Sequence, residues 1–245
     1  MKRFVYANDL DRLEHNLVCD IPLDQTLSFK LTNTDYAPTG PNNNRVDIFW
    51  DFGFEGVFRS PVQGTSLGNI VQVGNQPEPE GDIADLKFVA FGGSYTNQGA
   101  PLSRARTEAF PFTRELIAIP PLLDVPLLIS PAIGAPVVNN VIRFESGGPY
   151  TPDLFYLVLR NDSGIPVWQW ILPGSQPFAL IPDFPDFSSL PADIRPDPLL
   201  AGPLYLSMIA ARTTPGFVYE AVSYREVDNE AWSAYSLNAT TIQLP

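Results

Sequence analysis

Few residues of this chain could carry acid–base, nucleophilic or metal chemistry. The single histidine, His15, and the single cysteine, Cys19, lie four positions apart, a spacing that would let both bind a metal from one face of a helix. Two ligands do not complete a metal site, and a Ser-His-Asp or Cys-His catalytic site would need partners from distant loops. We therefore expect a solvent-exposed His15, a small buried side chain at Cys19, and no metal at either.

The acidic residues could support two further kinds of chemistry. A glycosidase needs only two carboxylates at a set separation, but 27 Asp and Glu residues make such a pair an unspecific signal. Four aspartates in the proline-rich segment 182–203 could converge on calcium, although such segments are more often solvated loops. They are Asp183, Asp186, Asp193 and Asp197. Because no glycine-rich nucleotide motif occurs either, the sequence predicts a protein that is not an enzyme and has no cofactor.

Aromatic side chains are the best candidates for binding. Trp168 and Trp170 share one face of a predicted strand, whose other face carries Val167 and Ile171. If exposed, the tryptophans and Tyr150 would form a platform that stacks on a glycan or anchors a protein partner; if buried, they belong to a core. Since both faces of this strand are apolar, we expect one to be covered by something beyond a single sandwich, either the other half of the chain or another subunit.

Composition predicts an all-β protein. Apolar residues make up 44% of the 245 residues and charged residues 17%, and the 26 prolines stand with Gly and Asn between short β-branched and aromatic runs. The formal charge of −12 disfavours nucleic acid and anionic membrane surfaces as partners. No apolar run is long enough for a transmembrane helix, and charges interrupt the N-terminal region where a signal peptide would need an apolar run.

Two tandem antiparallel β-sandwich domains are expected, at 1–119 and 129–245. Prolines in the segment 120–128 predict a stiff, partly buried linker between them. In the first domain, the run from Val46 to Phe58 alternates so that large apolar residues share one face, which predicts a central strand with Asp47 on the opposite face. In the second, "NDSG" at 161–164 predicts a hairpin turn.

Leu199, Gly202 and Tyr205 follow a spacing that precedes an alternating apolar strand. This spacing resembles the start of strand F in fibronectin type III modules, which belong to the immunoglobulin-like sandwiches. The resemblance covers residues 129–245 and implies a structural corner in which the tyrosine hydroxyl bonds the upstream backbone. Phe144 stands in for the core tryptophan of the family. The segment 213–230 is too long for a simple loop of that family, and "FVYEAVSY" within it predicts an added strand.

These features together predict a non-enzymatic structural or interaction protein. The leading hypothesis is a subunit of a virion-type or cell-surface assembly, whose partners are other protein subunits, including copies of itself, and whose location is a virion or an extracellular surface. The alternative is a carbohydrate-binding or adhesion module that recognises glycans through exposed aromatic side chains. Fold alone does not decide between them, because sandwich folds serve many functions.

Overall fold

The protein is all-β. The computed structural model describes residues 25–32, 43–51, 57–75, 86–96, 100–182, 189, 191, 203–221 and 232–244. The strands are β1 (Gln25–Lys30), β2 (Asn43–Asp51), β3 (Val57–Ser66), β4 (Ile70–Asn75), β5 (Lys87–Tyr95), β6 (Leu102–Arg106), β7 (Phe110–Pro111), β8 (Leu116–Ala118), β9 (Pro126–Ser130), β10 (Val141–Ser146), β11 (Leu154–Arg160), β12 (Pro166–Pro173), β13 (Phe178–Leu180), β14 (Leu204–Thr213) and β15 (Trp232–Ile242). Within these ranges no helix is long and apolar enough to cross a bilayer.

One large sheet runs through both halves of the chain. Its nine strands follow the order β12-β11-β14-β15-β6-β5-β2-β3, with β7 paired to β5. Two sheets of three strands each, β4-β1-β8 and β13-β10-β9, pack over its two ends. The large sheet therefore has an inner face, which the small sheets cover, and an outer face on the opposite side.

The first core lies between β4-β1-β8 and the near half of the large sheet. Val46, Ile48 and Trp50 of β2 are buried in it, as their alternation in the sequence predicts. Phe29 of β1 and Phe88 of β5 fill it from the two layers. The stretch from Val46 to Phe58, predicted as one strand, belongs to two strands in the structure: β2 ends at Asp51 and β3 begins at Val57.

The second core lies between β13-β10-β9 and the far half of the large sheet. Phe144 of β10 and Phe155 of β11 meet edge to face across the layers, with ring centroids 4.9 Å apart. The "NDSG" turn joins β11 to β12 as predicted: Gly164 has a positive φ of 78°, and the Asn161 amide donates to the Ile165 carbonyl at 3.0 Å. The turn therefore has the conformation that its local sequence predicts.

The two halves are joined by strand pairing as well as by the covalent chain. Strand β15, near the end of the sequence, pairs antiparallel with β14 on one side and with β6 of the first half on the other. The predicted linker crosses the inner face at this junction, where Leu122 and Leu123 are fully buried in the first core. A separation of the halves would break the β15–β6 ladder and expose these leucines to water.

A row of polar side chains on the inner face holds this crossing segment. Prolines at 120, 121 and 126 lack an amide hydrogen, yet the carbonyls of the segment still need donors. The hydroxyl of Ser103 donates to the Leu123 carbonyl at 2.6 Å, and that of Ser236 donates to the Asp124 carbonyl at 2.7 Å. The side-chain amide of Asn238 donates to the Pro126 carbonyl at 2.9 Å. These bonds explain why polar residues lie between two apolar cores.

Removal of one of these donors is expected to destabilise the fold measurably. We expect Ser236→Ala to lower the free energy of unfolding by about 1 to 2 kcal/mol, because the Asp124 carbonyl loses a buried donor. Thr240→Val on the same strand is the control, since the buried Thr240 hydroxyl has no hydrogen-bond partner among the described residues. Chemical denaturation of both variants measures this difference, and equal losses would contradict the assigned role of Ser236.

The predicted strand at "FVYEAVSY" is wrong for the part that the structure describes. Phe217 and Val218 lie outside any strand, and Tyr219–Ala221 form a short 3₁₀ turn. Tyr219 instead folds onto the outer face, where its hydroxyl donates to the Ile171 carbonyl at 2.7 Å. Burial and the neighbouring Glu220 raise the pKa of Tyr219, which keeps this hydroxyl protonated as a donor at neutral pH. Tyr219 thus packs on the outer-face side chains of β11, β14 and β15 and reaches the backbone of β12 through its hydroxyl.

Candidate functional site: an arginine and aromatic patch

Strand register brings four arginines together on the outer face of the large sheet. Arg45 of β2 and Arg104 of β6 both pair with Gly93 of β5, so they flank it in one row across three strands. In the next row Asp47 and Arg106 flank Phe91 in the same way. Arg59 of β3 pairs with Phe49 beside them. We define the arginine patch as Arg45, Arg59, Arg104 and Arg106 with Asp47, Phe49, Phe91 and Tyr95.

Asp47 is the electrostatic centre of the arginine patch. Its carboxylate is 2.8 Å from the guanidinium groups of Arg45 and Arg59 and 3.7 Å from that of Arg104. Burial by itself would raise the pKa of Asp47, but hydrogen bonds from Arg45 and Arg59 and their charges outweigh it and hold the pKa below its ordinary value. The same hydrogen bond raises the pKa of Arg45. Asp47 is therefore ionised at neutral pH although only 4% of it is exposed.

Phe91 orders the remaining guanidinium groups. Arg104 lies over its ring with 4.5 Å from Cζ to the ring centroid, and Arg106 lies 5.7 Å from the same centroid. Phe49 packs edge to face on Phe91 with centroids 5.0 Å apart. Stacking on an aromatic ring fixes the plane of an arginine and lowers the entropy that it would lose on binding a partner. The aromatic rings thus act as a rigid support for the cations.

Gly93 lies between Arg45 and Arg104 in its row and leaves space for the Tyr95 ring. A Cβ atom at Gly93 would lie 2.8 Å from Tyr95 Cε2 and 2.8 Å from the Ser103 carbonyl oxygen, so no larger residue fits without displacement. Burial raises the pKa of Tyr95, with Arg104 acting in the opposite direction. The Tyr95 ring therefore leans over a strand glycine, an arrangement that restores packing where a side chain is missing.

The arginine patch is positive on a negative protein. Four arginines and one aspartate give the arginine patch a formal charge of +3. Because the whole chain carries −12, the residues outside the patch carry −15. The side chain of Arg59 is 54% exposed and that of Arg45 33% exposed, so both can still reach a partner. Exposed guanidinium groups are suited to binding carboxylates of another molecule.

The aromatic residues that the sequence singled out are not brought together. Trp170 is 8% exposed and its indole nitrogen donates to the Leu180 carbonyl at 2.8 Å, which places it in the second core. Trp168 points to the same side but lies near the end of the sheet, is 39% exposed, and borders a shallow depression of about 280 Å³. A paired tryptophan platform is therefore absent, and of the two only Trp168 is placed to bind a ligand.

Tyr150 lies at the opposite end of β11 from Trp168. The Tyr150 ring packs on the first core, and its centroid is 5.7 Å from the guanidinium of Arg212. Arg212 follows Ala211 on β14, and Ala211 pairs with Leu154 at the start of β11. Trp168 pairs with Leu159. Leu154 and Leu159 are five residue steps apart along β11, which is about 17 Å. Tyr150 and Trp168 are therefore too far apart for one flat sugar-binding surface.

The predicted corner is described at one of its three residues. Tyr205 is the second residue of β14, and its side chain lies on the outer face and is 47% exposed, while Leu204 and Leu206 point into the second core. Leu199 and Gly202 lie outside the described residues, as do His15, Cys19 and the four aspartates of the proline-rich segment. The corner role of these residues stays a prediction. Within the described ranges no three His, Cys, Asp or Glu side chains are grouped to hold a metal.

The arginine patch was missed by sequence reasoning for a physical reason. Its arginines come from three strands and are up to 61 positions apart, and only strand register puts them in adjacent rows. One local signal existed, because Asp47 opposes the apolar face of β2 in a stretch that also contains Arg45. An aspartate in a central strand must find cations nearby if it is buried.

No protein-family model matches the chain, and no curated protein matches its sequence significantly. The fold itself defines an all-β protein of β-sandwich character with two layered cores.

Proposed function

We propose that this protein is a non-enzymatic structural or interaction protein that serves as a subunit of a virion-type or cell-surface assembly. The observation that carries the proposal is the composition of the arginine patch. Arginine and aromatic residues are enriched at the centres of protein interfaces, and here Arg104 and Arg106 are held on Phe91, which packs against Phe49. In finer detail, we propose that the two layered cores are tandem immunoglobulin-like sandwiches that share the large sheet.

Light scattering behind size-exclusion chromatography over a concentration series tests this proposal. An assembly subunit is expected to show a mass that grows with concentration towards closed rings or filaments. A wild-type protein that stays monomeric at every concentration would contradict self-assembly, and the search would move to a foreign partner.

The alternative function is glycan recognition by Trp168. It is favoured by one observation, the exposed indole beside the depression lined by Pro166, Val167 and Gln169. A glycan panel with the wild type and Trp168→Ala tests it, with the exposed Ile133→Ala as a matched control. Binding lost only in Trp168→Ala would support this function, whereas no binding by the wild type would exclude it for the glycans tested.

A further inference from the structure

We propose that the arginine patch binds carboxylates of a second copy of this chain. This inference rests on the proposed assembly function and names its partner. The partner is chosen by charge: outside the patch the same chain carries a formal charge of −15. Each copy thus offers a compact cationic surface and an excess of carboxylates that such a surface attracts.

The geometry of the arginine patch favours arginine contacts to carboxylates from outside. Arg45 and Arg59 already bind one carboxylate, that of Asp47, through hydrogen bonds of 2.8 Å, so the site has the chemistry to bind this group. Arg106 is held over Phe91, and its described contact is with that ring alone. One internal carboxylate against four guanidinium groups leaves donors for carboxylates of a partner.

The charge of the arginine patch restricts the symmetry of the contact. An isologous dimer with its two-fold axis through this patch would press arginines of one copy against arginines of the other, which is unfavourable. The patch of one copy must instead meet a different part of the next copy. An isologous contact makes this pairing twice in one closed dimer, whereas a heterologous contact continues it into rings or filaments.

A charge-neutralising pair of variants tests this contact. The wild type, Arg59→Gln/Arg106→Gln and the control Arg114→Gln/Arg143→Gln are compared by light scattering behind size-exclusion chromatography. The control removes the same charge at exposed arginines that are outside the arginine patch. Measurements at about 50 mM and about 500 mM NaCl shorten the Debye length from roughly 14 Å to roughly 4 Å.

We expect the wild type to associate at low salt and to dissociate at high salt. The concentration at half-association should rise about tenfold or more in Arg59→Gln/Arg106→Gln and stay within about twofold in the control. Thermal midpoints check that the variants fold, and Arg106→Gln alone gives a smaller shift in the same direction without touching the ion pairs of Asp47.

Three outcomes would overturn this inference, and they separate it from the proposed function. Association that both double variants retain equally removes the arginine patch from the contact but leaves the assembly function standing. Association that is equal at low and high salt contradicts a contact between charged groups. A wild type that is monomeric under all conditions overturns the contact and self-assembly together.

Discussion

Phe144→Ala is expected to lower the free energy of unfolding by about 3 to 5 kcal/mol, the largest effect among the substitutions considered. The Phe144 side chain is 2% exposed and meets Phe155 edge to face, so alanine leaves a cavity that its neighbours fill only in part. Arg143→Ala is the matched control, because Arg143 is adjacent on the same strand but exposed. Denaturant titration of both variants measures the difference.

The same variant tests whether the two halves unfold together. Because β15 pairs with both β14 and β6, loss of the second core should remove the strand partner of the first half. Hydrogen exchange followed by mass spectrometry should therefore show faster exchange in peptides from β2 as well as from β11 in Phe144→Ala. A change confined to β10 through β14 would contradict one cooperative unit.

Asp47→Asn is expected to lower the free energy of unfolding by about 2 kcal/mol at neutral pH. Removal of one partner from a buried ion pair leaves the other charges uncompensated, and the partial exposure of Arg45 and Arg59 reduces this cost. The control is Glu108→Gln, which removes one negative charge at an exposed position. Thermal and denaturant unfolding should show little change in the control.

The effect of Asp47→Asn should disappear in acid. Because the folded pKa of Asp47 is lowered, its carboxylate stabilises the fold above the unfolded pKa and this contribution is lost as pH falls through the folded value. Since the unfolded pKa of aspartate is about 3.9, the stability difference between the wild type and Asp47→Asn should begin to narrow below about pH 4 and should close once the pH is below the folded value. A difference that stays constant from pH 7 to about pH 3 would show that the loss does not come from this charge.

Local sequence predicted much of the fold because local physics determines it. The alternation at Val46, Ile48 and Trp50 gave the buried face of β2, and the "NDSG" stretch gave its turn. The position of β15 could not be predicted in this way, since its pairing with β6 joins residues more than a hundred positions apart and depends on sheet order. The hydrogen bonds that Ser236 and Asn238 donate to the crossing segment follow from that pairing, so local sequence could not predict them either.

The candidate site shows the same limit more sharply. The sequence drew attention to Trp170, which the second core buries, and passed over Arg104 and Arg106, which acquire meaning only beside Phe91. An indole is conspicuous in a sequence whether it is core or surface, whereas a cluster of arginines from separate strands is visible only in three dimensions. The length of the segment around Tyr219 predicts an added strand, but its described residues form a 3₁₀ turn, and Tyr219 packs on the outer face.

Zero-length crosslinking at position 106 tests whether the arginine patch contacts carboxylates of a second copy. Arg106→Lys keeps the charge and adds an amine that a carbodiimide couples to a carboxylate in direct contact. With a mixture of ¹⁴N-labelled and ¹⁵N-labelled copies, mass spectrometry separates links between copies from links within one copy. We expect mixed-isotope peptides that join position 106 to an Asp or Glu outside the arginine patch. Links found only within single copies, at protein concentrations where the chain associates, would contradict it.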